Sequence, residues 1–197
     1  MSLRRVFLAA FLTLASPAGA DVWPYGQAEC NQLWFMRNLI MDRAGYCFGT
    51  ALGQALYDNG DCLGKDVALA APQSRQVAAI QTLERQIGCK VDTGSTYLEL
   101  PLMEHYRRLS DMPLPDNGAS ACLNWIGPSV PLLSGYAGGA RHLATIERGD
   151  RIGFGYIPEG SWVAVVLSKG GAGGREVLGW FDSGPLNLES ACSDWAG

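Results

Sequence analysis

The clearest pattern of apolar and polar positions is a helical run over residues 33–48. At about 100° per residue, most of its apolar side chains fall on one broad arc, which predicts an amphipathic helix. Asn31 is the expected N-cap, and Gly45 is expected just past the helix end, in the left-handed conformation that suits glycine. Arg37 falls inside the apolar arc, where a guanidinium needs a carbonyl or carboxylate partner. We expect it to tie the helix to a loop through backbone carbonyls.

Further helices are predicted before residue 112. Residues 50–57 suggest a short one, followed by a turn at residues 58–61. Residues 74–87 have apolar side chains at helical spacing and end at Gly88. Residues 102–111 suggest one more short helix.

Strand patterns dominate the second half of the chain. Segments rich in β-branched and aromatic residues alternate with turns containing glycine or proline, and the segments are residues 141–146, 151–157, 162–168 and 175–181. From Trp162 onward the alternation places apolar side chains on both sides, so both faces of that strand are expected to be buried. The pattern predicts a small antiparallel barrel or sandwich.

The predicted fold class is α+β, with a small disulfide-stapled helical domain followed by a small antiparallel β-barrel. We place a signal peptide at residues 1–20 and the helical domain at residues 21–93. A linker with a short helix is placed at residues 94–119, and the barrel at residues 120–197.

The first residues have the features of an export signal. Arg4 and Arg5 precede the apolar residues 6–15, and the small residues Ala18-Gly19-Ala20 predict cleavage after Ala20. The apolar run is shorter than the roughly 20 residues that span a bilayer. We therefore expect a periplasmic or secreted protein without a transmembrane segment in the mature chain. General secretion and twin-arginine export both fit the double arginine.

The net charge and the cysteines indicate which kinds of partner and which kinds of site are to be expected. The formal net charge is −4, and removing the signal takes away Arg4 and Arg5 and no acid. This balance argues against nucleic acid and anionic lipid as partners. An even number of cysteines, 6 in all, predicts three disulfides in an exported protein. None has the close paired spacing of a zinc site, so no metal or cofactor is expected.

The cysteines also suggest how the two halves are cross-linked. Cys122 and Cys192 bracket the strand-rich half, and we expect them to pair. The other four allow three connectivities. We favour Cys47 with Cys62, which closes a hairpin-like excursion, and Cys30 with Cys89, which ties the start of the first long helix to the end of the last.

The helical half resembles the YARHG domain, a small helical module of exported bacterial proteins. The resemblance rests on Trp34, Arg37, Asn38, Arg43, Gly45, Tyr46 and Phe48. Met41, Asp42 and Ala44 stand where the family has tyrosine, alanine and histidine, so no role that needs an imidazole is implied here. The segment is similar to cysteine-bearing relatives of the domain in secreted alphaproteobacterial proteins of unknown function.

The second half resembles the bacterial Src-homology-3-like domain. The motifs are Leu123-Asn124, Gly127-Pro128-Ser129, residues 144–150, residues 160–165 and Gly179-Trp180-Phe181. Two features depart from the family pattern, an insert at residues 131–141 and the cysteine pair. The resemblance implies binding of peptides, often cell-wall stem peptides.

Aromatic residues of this half are the candidate binding residues. Related domains bind peptides in aromatic-lined grooves, and the candidates are Trp125, Tyr156, Trp162, Trp180 and Phe181. Asp182 and Glu159 are candidate carboxylates for a cationic peptide group. The alternative for Trp162 and Trp180 is packing in the core. In the helical half, Arg37, Asn38 and Arg43 would form an anion site only if they were not structural.

Catalytic motifs are missing from the sequence. His105 and His142 are the only histidines, neither stands in a catalytic motif, and six half-cystines leave no thiol nucleophile. Arg148-Gly149-Asp150 spells an adhesion tripeptide, but a β-turn before a strand is the expected role.

We therefore expect a non-enzymatic binding or adaptor protein of the cell envelope that recognises a peptide, peptidoglycan or an envelope protein. The alternatives are an inhibitor of a secreted hydrolase and a weak wall-active hydrolase. The latter would need a cleft with two carboxyl groups about 5 to 9.5 Å apart.

Overall fold

The computed structural model describes residues 25–197, so the predicted signal peptide and its cleavage after Ala20 lie outside the described residues. The helices are α1 (Gln27–Arg43), α2 (Ala51–Leu56), α3 (Ala71–Gln86), α4 (Met103–Tyr106) and α5 (Leu188–Ala191). The strands are β1 (Pro115–Cys122), β2 (Val130–Leu133), β3 (His142–Ile146), β4 (Arg151–Tyr156), β5 (Trp162–Lys169), β6 (Arg175–Asp182) and β7 (Trp195–Ala196). Helices followed by an antiparallel sheet confirm the α+β class.

The start of α1 differs from the prediction. The helix begins after Gly26, whose N–H donates to the Glu29 carboxylate at 2.6 Å. Asn31 lies inside the first turns, is buried, and donates to the Glu99 carbonyl at 3.0 Å. The predicted N-cap at Asn31 is therefore wrong, because its amide serves a distant loop instead of the helix end.

The end of α1 agrees with the prediction. Gly45 has φ of 85°, and its N–H donates to the Asp42 carbonyl at 2.8 Å. The Tyr46 N–H donates to the Met41 carbonyl at 3.1 Å. These two bonds are the usual way in which a left-handed glycine satisfies the last carbonyls of a helix.

α1 is buried on most sides, so it lacks the exposed polar side of the amphipathic helix that we expected. Leu33, Phe35 and Met36 are fully buried, and their neighbours Leu39 and Ile40 are nearly so. The helix packs against α3, and its core cluster also contains Ala164, Leu178 and Trp180 from the sheet. The helical half therefore shares a core with one face of the sheet.

The sheet has the strand order β3-β2-β6-β5-β4-β1-β7, with antiparallel pairing throughout. β5 and β6 pair along their whole length, from Trp162 opposite Asp182 to Lys169 opposite Arg175. Ala164 belongs to the cluster shared with the helices, whereas Val165 and Leu167 belong to a second cluster. The prediction that both faces of this strand are buried is confirmed.

The predicted closed barrel is wrong. In residues 25–197 the sheet is open, with β3 at one edge and β7 at the other. The helical half covers part of one face, so the sheet buries apolar side chains there without closing on itself. Three strands were not predicted: β1 begins inside the predicted linker, β2 overlaps the predicted insert, and β7 follows the last predicted strand segment.

Three disulfides connect the elements. Cys30 pairs with Cys89, Cys47 with Cys62, and Cys122 with Cys192, which are the expected pairs. The first joins the start of α1 to the residues after α3, and the last joins β1 to the chain after α5. Among residues 25–197, no helix combines the length and the apolar composition that a membrane crossing requires.

Candidate functional site

The structure places three of the candidate aromatic residues, Trp125, Trp180 and Phe181, in the core. Trp180 is fully buried, and its indole Nε1–H donates to the Asp111 carbonyl at 2.9 Å. Trp125 is also buried, donates to the Pro128 carbonyl at 2.9 Å, and meets the ring of buried Phe181 edge-on. None of these three rings is open to a ligand, because each fills the space between elements. The prediction that they bind a ligand is therefore wrong, and their role is to pack the core.

Tyr156 lies between the core and a surface cleft. Its hydroxyl is hydrogen bonded to that of Tyr106, with 2.9 Å between the oxygens. Burial raises the pKa of Tyr156 to about 12, although the bond to Tyr106 acts in the opposite direction. The phenol therefore stays protonated at neutral pH and serves as a neutral, aromatic wall.

Trp162 and Asp182, two of the candidate binding residues, lie next to each other in the sheet. They are the first residue of β5 and the last of β6, and they lie directly opposite each other in the ladder. The backbone of Trp162 also pairs with that of Glu159, which holds the turn before β5. Trp162 is half-buried, so one part of its ring packs on the core while the rest lines the surface.

A groove of about 270 Å³ runs beside this pair. We call it the Trp162–Asp182 groove. Its other walls are mostly apolar and rich in proline, and they comprise Pro128, Ser129, Val130, Pro131, Leu133, Pro185 and Leu186. The sequence analysis missed these residues, although the closely spaced Pro128 and Pro131 and the later Pro185 were visible in the sequence.

Asp182 gives the groove a fixed negative charge. Hydrogen bonds from the Ser161 side chain and from the Gly184 N–H lower the pKa of Asp182 below its ordinary value. The Gly184 bond measures 2.9 Å. The carboxylate is therefore ionised at neutral pH, at the edge of an otherwise apolar surface.

A second depression lies between the start of α1 and β1. We call it the α1–β1 cleft. It measures about 430 Å³, and the residues that line it include Tyr25, Glu29, Gln32, Asp116 and Tyr156. Of the predicted residues it contains only Tyr156.

The arginines of the YARHG-like segment, Arg37 and Arg43, bond to other groups of the protein. Arg37 pairs with Glu84 of α3 at 3.0 Å, which corrects the expectation of a tie to backbone carbonyls. Arg43 donates to the carbonyls of Leu109 and Arg107 at 2.7 and 2.9 Å. Burial lowers the pKa of Arg43.

Other residues of that segment pack the helical core. Asn38 is buried and donates to the Trp34 carbonyl at 2.7 Å. Tyr46 meets Phe48 edge-on, with 5.0 Å between ring centroids. Phe48 in turn stacks on Tyr57 at 4.5 Å. These contacts explain the aromatic residues after Gly45 by packing alone.

The remaining chemical candidates are separated from one another. The His142 ring is 3.0 Å from the Thr145 hydroxyl. His105 lies within α4, outside the strands of the sheet. Asp150 of the Arg148-Gly149-Asp150 tripeptide is buried and accepts hydrogen bonds from the protein itself. Its carboxylate is therefore not displayed for adhesion, in agreement with the expected turn. In the part of the chain that the structure describes, no three His, Cys, Asp or Glu side chains form a group that could hold a metal.

Comparison with known families divides the chain near the end of α3. A model of the YARHG domain matches residues 16–85, which agrees with the resemblance of the helical half. The model described as Domain of unknown function (DUF4453) matches residues 88–197, more than half of the chain. The Src-homology-3-like resemblance of this half stays a prediction. No curated protein and no solved structure matches the chain. The protein therefore belongs to the DUF4453 family, with a YARHG domain preceding the DUF4453 domain.

Proposed function

We propose that the protein is an exported, non-enzymatic binding protein of the cell envelope that recognises a peptide in the Trp162–Asp182 groove. The observation that carries the proposal is the combination of a half-buried tryptophan, proline-rich apolar walls and one ionised carboxylate in the same groove. A peptide with an apolar side chain next to a basic group matches this combination.

The size of the groove supports a peptide segment. Its volume of about 270 Å³ is below the usual range of small-molecule pockets, roughly 300–1,000 Å³. It suits one or two side chains of an extended chain that continues across the surface. Proline and tryptophan walls lose little conformational entropy on binding, which favours recognition by a shallow surface. The Src-homology-3-like resemblance supports the same assignment.

Export is part of the proposal. Disulfides persist in oxidising compartments such as the periplasm, and this chain forms three. Amino-terminal sequencing of the protein recovered from the periplasm or medium tests the cleavage site. We expect Asp21 as the first residue, and an uncleaved chain in the cytoplasm would contradict the proposal.

The binding test uses the purified, oxidised protein. We expect it to sediment with purified peptidoglycan and to bind synthetic stem peptides that carry a free side-chain amine in calorimetry. Trp162→Ala should weaken binding by about tenfold or more, since central aromatic anchors usually dominate such surfaces. Trp195→Ala is the matched control, because Trp195 is another partly exposed tryptophan but lies outside the groove.

Asp182→Asn separates the two parts of the site. It should weaken binding only of peptides that carry the amine, and should leave amine-acetylated peptides unchanged. If neither peptidoglycan nor stem peptides bind, or if Trp162→Ala binds as well as the wild type, the groove does not have this function.

A further inference from the structure

A third depression lies between the first turns of α3 and the segment that leads from α4 to β1. We call it the Asp111 pocket. Its volume of about 350 Å³ lies within the range of small-ligand sites, and it shares no lining residue with the Trp162–Asp182 groove. Since the α3 side belongs to the YARHG domain and Asp111 to the DUF4453 domain, the pocket forms where the two domains meet.

Asp111 brings an unpaired carboxylate oxygen to this pocket. The residue is only 8% exposed, and its Oδ2 accepts the N–H groups of Tyr136 and Ala137 at 2.9 and 3.1 Å. Within residues 25–197, its Oδ1 accepts no hydrogen bond and joins no ion pair, yet it is not sealed from solvent. Buried charged groups in native proteins are nearly always paired. Oδ1 is therefore a fixed acceptor that suits a charged donor from outside the protein.

Tyr136 contributes a hydroxyl that can still donate. Its ring meets the buried ring of Trp180 edge-on, with 4.9 Å between centroids. Its oxygen accepts the amide of Gln76 on α3 at 3.5 Å, which leaves the phenol hydrogen free for another acceptor. Because the ring is held by the core, the hydroxyl is a preorganised donor.

Charges of both signs act on this hydroxyl. Burial raises the pKa of Tyr136, and the hydrogen bond from Gln76 lowers it. The negative charges of Glu159 and Asp111 raise it further, whereas the positive charge of Arg75 lowers it. Arg75 and Glu159 are exposed, and neither forms an ion pair within the part of the chain that the structure describes. Glu159, a candidate carboxylate for a cationic peptide group, thus lines this pocket and not the groove.

The mixture of charges indicates the class of ligand. A simple amine would leave Arg75 and the Tyr136 hydroxyl unused, and a simple anion would be repelled by the two carboxylates. A molecule with an ammonium and a carboxylate on one small skeleton uses both kinds of group, through charge-assisted hydrogen bonds. Its carbon atoms would contact the apolar residues that line the remaining wall, among them Pro72, Met112 and Leu114.

We propose that the Asp111 pocket binds a free α-amino acid. The ammonium group donates to Asp111 Oδ1, and the carboxylate accepts hydrogen bonds from the Tyr136 hydroxyl and the Arg75 guanidinium. This site goes beyond the peptide groove, because it gives the protein a small-molecule ligand at the junction of its two domains.

The test is calorimetric titration of the purified, oxidised protein with alanine, leucine and phenylalanine, which differ only in the side chain. The amino acid that binds best is then compared with its amide, which lacks the carboxylate, and with its N-acetyl derivative, which lacks the ammonium group. We expect binding at about millimolar concentrations or below, and binding of both derivatives at least about tenfold more weakly, as the loss of one hydrogen-bonded charge predicts.

Two substitutions test the two ends of the ligand. Asp111→Asn keeps one oxygen for the N–H groups of Tyr136 and Ala137 and places an NH₂ group where Oδ1 lies, so it should weaken binding at least about tenfold. Because a change at a buried residue can also lower stability, Arg75→Gln supplies an independent test. Arg75 is exposed, so binding should weaken by a similar factor while the melting temperature stays unchanged.

Two further variants serve as controls. Arg85→Gln is matched to Arg75→Gln, because Arg85 is another exposed arginine of α3 but lies outside the pocket. It should bind the amino acid as the wild type does. Asp182→Asn should also leave this binding unchanged, so the pocket and the groove can succeed or fail separately.

Several outcomes overturn the proposal. They are no heat of binding with any of the three amino acids, an amide or N-acetyl derivative that binds as tightly as its parent, and undiminished binding by Arg75→Gln. Equal weakening in Arg75→Gln and Arg85→Gln would also overturn it, because the effect would then follow from the net charge of the protein instead of the pocket.

Discussion

The buried carboxylate of Asp150 offers the sharpest test of how the sheet is held together. Its side chain is 3% exposed and accepts three hydrogen bonds, from Lys169 Nζ at 2.8 Å, from the Glu147 N–H at 2.8 Å and from the Gly170 N–H at 2.9 Å. These contacts join the turn before β4 to the hairpin between β5 and β6. The perturbation is Asp150→Asn, which keeps the shape and removes the charge.

The expected loss follows from the geometry. Oδ1 accepts from Gly170, whereas Oδ2 accepts from both Glu147 and Lys169. Asparagine can keep the first bond but turns an NH₂ group toward two donors. Hydrogen bonds to charged groups contribute about 1.5–3 kcal/mol each, and breaking a buried ion pair costs about 3–5 kcal/mol. We expect a loss of about 3–5 kcal/mol in the free energy of unfolding, or roughly 10 °C in Tm.

The assay is urea denaturation of the oxidised protein, with Glu147→Gln as the control. Glu147 contacts the same Lys169 ammonium at 2.8 Å, but its side chain is 59% exposed. Exposed pairs contribute about 1 kcal/mol or less, so this variant should be nearly neutral. Equal losses in the two variants would refute the reasoning that burial makes Asp150 the anchor.

The pH dependence gives a second readout. Burial by itself would raise the pKa of Asp150, but the hydrogen bonds from Lys169, Gly170 and Glu147 bring it below its ordinary value. The unfolded carboxyl titrates near about 3.9. A lowered folded pKa means that the stabilisation is fully present above that pH and is lost as the pH falls through the folded pKa. The difference between wild type and Asp150→Asn should therefore be constant near neutrality and shrink below about pH 4.

Two further substitutions test the helical half. Gly45→Ala should lower the free energy of unfolding by about 1–2 kcal/mol in urea denaturation, because φ is 85° and the new Cβ would stand 2.7 Å from Leu63 Cγ. The control is Gly138→Ala, outside the helical half, where a Cβ meets nothing within 4 Å. It should change the free energy of unfolding by less than about 0.5 kcal/mol. Arg37→Met should lower stability by about 1–2 kcal/mol, since its pair with Glu84 is only partly exposed. An unchanged Tm together with lost ligand binding would instead make Arg37 part of an anion site.

The sequence was sufficient where a local rule also decides the folded structure. The strand-rich segments became β3 to β6 almost at their predicted bounds, because alternation along a strand survives in the ladder. Gly45 ends α1 because few other residues adopt its conformation. The order of helices and cysteines left three connectivities open, and the favoured pairs, Cys30–Cys89 and Cys47–Cys62, are confirmed.

Sequence reasoning failed where distant parts of the chain decide the outcome. β1 reads PDNGASAC and has no apolar alternation, since most of it is exposed and residues 116–119 have no partner in β4. It belongs to the sheet because Pro115 and Cys122 anchor its ends. α1 was expected to have a polar face, but α3 and α4 both pack against it, and its core cluster extends to residues of the sheet. The burial of Asn31 and Asn38 could be known only after those elements were placed.

The same limit explains why Trp162 and Trp180 could not be told apart in the sequence. Register places Trp180 opposite Ala164 and Asp182 opposite Trp162, and alternation places all four on one face of the sheet. The two tryptophans differ in burial because the helical half covers only part of that face. Ala164 and Trp180 lie under it, Trp162 lies at its border beside the groove, and Val166 lies at another border in the α1–β1 cleft. Both depressions therefore lie where this cover ends, and any change in how the helical half packs on the sheet should alter the two together.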